Sequence, residues 1–180
     1  MPDNRKSAIE PLDGAVDHVR GSANGRLIVE YGDYECPFSR QAYRASQRVE
    51  AQLEGSIRFA FRHFPLTEIH PHAVGASSAA EAAALQGLFW EMHDLLFHRQ
   101  HALADKDLRA YASELGLDIA QFDGDRGSEQ VLERIGRDVR SGVASGQVLG
   151  TPTLFIDGAL HVGGYDAATL LAVLGGEPGA

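Results

Sequence analysis

The chain has 180 residues, 44% of them hydrophobic, enough for one domain with a buried core; its net charge of −9 argues against nucleic acid or an anionic membrane surface as the main partner, since both reward clustered Lys and Arg. No apolar run reaches the roughly eighteen residues of a membrane helix, and Met1-Pro2-Asp3-Asn4-Arg5-Lys6 is followed by no apolar signal core, so the expected compartment is the cytoplasm, or the periplasm if a leader has been removed. The single cysteine permits no internal disulfide, which fits a reducing compartment.

Residues 1–25 are polar with isolated apolar positions and read as a flexible arm ending at Asn24-Gly25, in which Asp17, His18 and Val19 could lie against a sheet edge. Leu27 to Tyr31 is a short apolar run typical of a buried strand. Phe38, Ala42, Ala45, Val49 and Leu53 then recur at helical spacing until Gly55 stops them, and Ile57 to Phe61 alternates with period two. Strand, helix and strand at this length predict a βαβ unit with parallel strands and a right-handed crossover.

From His72 to Gly146 the pattern is helical almost throughout. Leu85, Phe89, Met92 and Leu96 form one stripe, Leu108, Tyr111, Ala112 and Leu115 a second ending at Gly116, and Val131, Ile135, Val139 and Val143 a third, with Asp105 and Ser128 as expected N-caps. Thr153 to Ile156 and Ala159 to Val162 flank Asp157-Gly158, a two-residue hairpin signal, and Asp166 to Leu174 closes the chain as a helix.

The lone cysteine sits where the strand pattern breaks into the helix pattern, in Val29-Glu30-Tyr31-Gly32-Asp33-Tyr34-Glu35-Cys36-Pro37-Phe38-Ser39. Unpaired N–H groups at a helix start, with the macrodipole, favour an anion there, so a Cys36 thiolate would be stabilised; Pro37 suits the first helical position. Asp33 and Glu35 are nearby negatives, which keeps the expected acidification moderate.

Strand, Glu-Cys-Pro-Phe-Ser, helix, an alanine-rich helical stretch and then Gly150-Thr151-Pro152-Thr153-Leu154-Phe155-Ile156-Asp157-Gly158 resemble the DsbA-like branch of the thioredoxin superfamily, from about Asp17 to Leu174. The resemblance implies an α/β thioredoxin-like fold, with residues 26–71 and 147–180 as its core and 72–146 as an inserted helical subdomain. It implies that Cys36 is the nucleophile, that Pro152 is a cis-proline beside it, and that Thr151 offers its backbone to a bound peptide. Phe38 joins Thr151 and Pro152 as an expected substrate-binding residue, and Cys36, Pro37, Ser39 and Glu30 form the expected catalytic set. Glu30 is a carboxylate on a buried strand, costly unless paired or used for protons. The resemblance implies proton transfer for it, and the alternative is an ion pair with Arg62 or Arg58.

Ser39 departs from the family, standing where a resolving cysteine is usual. Its hydroxyl faces the same side as Cys36 at i+3 and could bond the thiolate, but it cannot attack a mixed disulfide. The expected function is therefore disulfide exchange on proteins, peptides or glutathione mixed disulfides through one thiol, with an external thiol such as glutathione as co-substrate, and neither metal nor resident cofactor. A serine engineered into a C-x-x-C parent reads the same way. Two rivals remain open, a glutathione-transferase-like enzyme on this scaffold and a non-enzymatic peptide-binding or partner-binding module. The histidines at 70, 72, 93, 98 and 101 have no ligand spacing along a helix and read as surface or capping residues. Phe89, Trp90, Met92 and Phe97 read as core.

Overall fold

A computed structural model describes residues 8–175. Five strands, β1 (His18–Gly21), β2 (Arg26–Gly32), β3 (Ile57–His63), β4 (Thr153–Ile156) and β5 (Ala159–Leu160), form one sheet in the order β1-β3-β2-β4-β5. The central β2 runs parallel to β3 and antiparallel to β4, with Glu30 opposite Phe61 on one side and Leu154 on the other. Because successive side chains leave a strand on opposite faces, Ile28, Phe59, Phe61, Leu154 and Ile156 enter the larger core, and Val29, Tyr31, Ala60 and Phe155 enter a smaller one with Ile9 and Val148.

Helix α1 (Pro37–Gln52) connects the parallel strands. Its buried face runs through Ser39, Ala42, Tyr43, Ala45, Ser46 and Val49. Phe38, expected at the start of that apolar stripe, is instead 54% exposed, because the stripe rotates toward the small residues that let α1 lie close to the sheet. Between β3 and β4 come α2 (Ala73–Ala84), α3 (Phe89–His98), α4 (Asp105–Glu114), α5 (Ile119–Arg126) and α6 (Glu129–Ser145); α7 (Ala167–Gly175) packs on α1.

Several details differ from the sequence expectation. Residues 1–7 of the expected arm lie outside the described residues; the sheet edge expected for Asp17, His18 and Val19 is found, His18 and Val19 pairing along β3, and the strand extends to Gly21. The stripe from Leu85 to Leu96 is broken, because Gly87 takes a positive φ of 80° and separates α2 from α3. Asp105 is the first residue of α4 and not its cap; the Ala104 N–H donates to Asp107 Oδ2 at 3.1 Å. Ser128 does cap α6, accepting from the Val131 N–H at 3.2 Å. Val143 is 63% exposed, since the buried face of α6 turns to Asp138, Ser141 and Gly142 to meet polar groups under the sheet. β5 ends at Leu160 and leaves Val162 exposed, while Asp157 and Gly158 take the positive φ that a two-residue hairpin requires.

Candidate active site

The switch from β2 to α1 places Cys36 at the helix N-cap position, with Pro37 as the first helical residue. The residue is buried, and its Sγ–H donates to the Thr151 carbonyl at 3.3 Å. That carbonyl belongs to a cis Thr151–Pro152 peptide directly before β4, so two segments 115 residues apart meet at the sulfur. Tyr165 lies near enough that burial first, and then the Cys36 charge, push its phenol upward.

The loop before the thiol is tied down at both ends. Asp33 is fully buried: Oδ1 accepts the Glu35 N–H at 2.8 Å, while Oδ2 accepts the Leu66 N–H and faces His70 Nδ1, both also at 2.8 Å. Glu35 likewise accepts from the backbone and ring of His72, at 2.7 and 2.9 Å. From α3's end, Gln100 Nε2 donates to both the Tyr34 and the Cys36 carbonyls at 2.8 Å, fixing the backbone that positions the sulfur. Neither Gln100 nor Asp33 carried a functional signal in the sequence beyond proximity; the His70-Pro71-His72 motif was a signal, but for clamping an acidic loop.

Ser39 is fully buried one turn behind Cys36, where its Oγ accepts the Asp33 N–H at 3.2 Å. It makes no hydrogen bond to Cys36 among the described residues, so its hydroxyl holds the loop. Phe38 projects outward beside the thiol's helix start.

Glu30 is buried on the larger-core face of β2 and its Oε1 has no hydrogen-bond partner among the described residues. A Cβ at Gly32 would come within 3.0 Å of that oxygen and 2.5 Å of the Phe61 ring, so glycine is needed for both to fit. The ion pair with Arg62 is not formed; Arg62 is taken by Asp17, with Nε to Oδ1 at 2.9 Å and Nη2 to Oδ2 at 3.0 Å. Burial pushes the Glu30 carboxyl up to about 8 from an ordinary 4.5, with Arg20 opposing and Glu50 adding to it. The folded chain therefore holds a proton there that the unfolded chain releases, and stability declines as pH rises from about 4.5 to about 8. Glu30→Gln is expected to remove that decline, worth as much as about 5 kcal/mol over the window. Urea midpoints of both proteins at about pH 5 and about pH 9 measure it; parallel changes in the two would sink the assignment.

A second polar cluster was not legible in the sequence. Nε2 of His18 and Nε2 of His63 both bond Glu81 Oε1, at 2.8 and 2.7 Å, and His18 stacks on Phe89 with centroids 3.5 Å apart. Burial alone would raise Glu81, but the two rings hold it well below the usual carboxylate range. Among the described residues this is the group whose donor atoms converge closely enough for a metal ion, all within 4.8 Å. Arg134 and Arg137 line the adjoining pocket with it, and their charges oppose a cation. His93, expected on the surface, is buried against Tyr34, Phe61 and Phe97, with Nδ1 2.9 Å from the Tyr34 hydroxyl, and burial holds its pKa well below the ordinary value.

The family model described as thioredoxin matches residues 15–174. The chain is 44% identical over 165 residues to a Na(+)/H(+) antiporter NhaA of Herminiimonas arsenicoxydans, covering 91% of this chain and 26% of that protein. It is also 44% identical over 169 residues to Na(+)/H(+) antiporter NhaA 1 of Mycolicibacterium gilvum, covering 92% and 27%. The chain thus spans about a quarter of the length of these curated relatives. Among solved structures, a thioredoxin-like oxidoreductase from Silicibacter pomeroyi is 25% identical with a TM-score of 0.75, covering 88% of this chain and 90% of that one. The thiol-disulfide exchange protein alpha-DsbA2 of Wolbachia pipientis is 18% identical with a TM-score of 0.78, covering 90% and 87%. BdbD of Bacillus subtilis is 17% identical with a TM-score of 0.78, covering 89% and 92%. No helix among the described residues is long and apolar enough to cross a membrane.

Proposed function

We propose that this chain, which belongs to the thioredoxin family, is DsbA-like and catalyses thiol–disulfide exchange through Cys36 alone, on glutathione mixed disulfides or protein disulfides. The observation that supports this most directly is the Cys36 sulfur at the start of α1, 3.3 Å from the Thr151 carbonyl at the edge of the Pro152 loop. A substrate strand running along that edge would replace this contact and set its own disulfide beside the sulfur.

In the first step the Cys36 thiolate attacks one sulfur of a disulfide, forming a new S–S bond and releasing the other sulfur as a thiolate that takes up a proton. With one cysteine in the chain, the mixed disulfide cannot be closed internally. An external thiolate then attacks it, leaves as a new disulfide, and returns Cys36 to the reduced form; electrons are conserved across both steps. In this reading Glu30 on the central strand serves proton transfer at the site, Pro37 sets the helix start, Ser39 holds the loop, and Phe38 offers an apolar contact to the incoming chain. A site that depends on an external thiol suits a compartment rich in reduced small thiols.

Incubation with oxidised glutathione is expected to give one glutathionyl group per chain by intact mass, lost on adding reduced thiol and absent in Cys36→Ser. No adduct at equilibrium with excess oxidised glutathione would overturn the reading. Ser39→Cys places two thiols one helical turn apart, within reach of a disulfide after a small side-chain shift. It is expected to form that disulfide and to gain oxidation of dithiol peptides, read as loss of free thiol in the peptide. A variant that forms the bond yet oxidises no peptide would count against Cys36 as an exchange centre.

A further inference from the structure

On the far side of Tyr165 from the Pro152 loop, α1 and the start of α7 enclose a pocket of about 560 Å³ lined by Gln41, Arg44, Arg48, Tyr165, Asp166 and Ala167. Tyr165 also lines the pocket formed by Thr151 and Pro152, so the two adjoin at this ring. Arg44 and Arg48 are one turn apart on α1 and exposed, and neither makes an ion pair or hydrogen bond among the described residues. Arginines 20, 62, 99, 109, 126, 134, 137 and 140 meet carboxylates, whereas Arg44 and Arg48, like Arg40 and Arg58, meet none among the described residues, and these two share one pocket. The lone acid in the pocket, Asp166, is committed to the Thr169 N–H and hydroxyl at 3.0 and 2.7 Å, which hold its carboxyl low. Two guanidinium groups against one engaged carboxylate leave the pocket net positive.

We infer that Arg44, with Arg48 one turn behind it adding to the positive field, binds a carboxylate of the small thiol that resolves the Cys36 mixed disulfide, a glutathione-type peptide thiol. The inference rests on the exchange reading above and names its co-substrate. Arg44 follows Cys36 by eight residues, about 12 Å along the axis, and helical side chains lean toward the N-terminus, which shortens the gap a ligand must span. A tripeptide spans up to about 10 Å, which lets one molecule present a thiol to the sulfur and a carboxylate to Arg44, in a pocket that Gln41 also lines. The thiol held there attacks the Cys36-bound sulfur, forms the new disulfide and frees the Cys36 thiolate. A planar guanidinium suits a carboxylate in two-point contact, and a phosphate-bearing thiol such as coenzyme A shares that chemistry.

The test loads Cys36 with a thionitrobenzoate mixed disulfide and follows release of the coloured thiolate by glutathione, coenzyme A or uncharged 2-mercaptoethanol. For the unsubstituted chain, release by glutathione is expected to saturate; in Arg44→Gln/Arg48→Gln the ratio of glutathione to 2-mercaptoethanol rates should fall about tenfold, and added salt should lower it in the unsubstituted chain alone. An unchanged ratio overturns the inference while leaving exchange through Cys36 intact. A fall confined to coenzyme A overturns the choice of a peptide thiol. Failure of the adduct to form, or to yield to any thiol, overturns the exchange reading and this inference with it.

Discussion

Replacing Cys36 with serine is expected to lower exchange by at least about a thousandfold without loosening the fold. A hydroxyl is a far poorer nucleophile than a thiolate at neutral pH, and no second cysteine exists to take over. The usual objection to such a result, that the variant unfolds, is weak at this position. Cys36 occupies the N-cap of α1 and makes no side-chain capping bond there, whereas serine is among the favoured N-cap residues, so the variant should be equally stable or gain a few tenths of a kcal/mol. Serine can also donate to the Thr151 carbonyl as the thiol does. Exchange with a glutathionylated peptide, measured alongside the thermal midpoint, decides the matter; more than a tenth of the original rate in a folded variant would mean that the reacting group lies elsewhere.

Asp17→Ala is expected to cost about 3–5 kcal/mol of folding stability, the largest loss we anticipate from any single polar substitution here. Asp17 and Arg62 are both fully buried and pair through two hydrogen bonds. Burial by itself would raise the Asp17 carboxyl, but its bonds to Arg62 and the Asp13 N–H, and the charges of Arg62 and Arg137, outweigh that and hold it below the ordinary range. With the carboxylate removed, Arg62 retains the Tyr31 hydroxyl at 2.9 Å and the Pro11 carbonyl at 3.2 Å, neither of which carries a charge to balance it. Removing the other partner should cost less: in Arg62→Met, Asp17 still faces Arg137 at 3.4 Å and Arg134 at 4.0 Å. Urea unfolding of both variants gives the order directly, and an Arg62→Met loss equal to or larger than that of Asp17→Ala would show that the neighbouring arginines compensate nothing. Because the folded carboxyl is held low, the contribution is present above the ordinary Asp range and is lost as pH falls through and below it.

Both variants touch features that differ in how far they could be read from the chain alone. The position of Cys36 is a local property: apolar residues from Leu27 to Tyr31 end where Pro37 begins a helical pattern, and that change of period puts the sulfur at a helix start whatever surrounds it. Asp157-Gly158 is likewise a turn by its own conformational preference. Asp17 was legible as a residue beside a sheet edge but not as a buried ion-pair partner, since a single acid in a polar stretch looks the same whether it is solvated or buried under an arginine 45 residues away.

The sequence by itself determined the periods of β2, α1 and β3, the helix-start cysteine, the serine in place of a second thiol and the proline before β4. Only the tertiary structure decided which distant polar groups would meet: Asp17 with Arg62, Glu81 with His18 and His63, Asp33 with His70, and Gln100 with the Cys36 carbonyl. It also left Glu30 without the ion pair to Arg62 that its strand position had suggested, and turned Phe38 outward. The physical reason is one of range. Periodicity and turn preference act over a few neighbouring residues, whereas a buried charge takes its partner from whatever the sheet order and helix packing bring alongside, and that order is set by covering both faces of β2 at once.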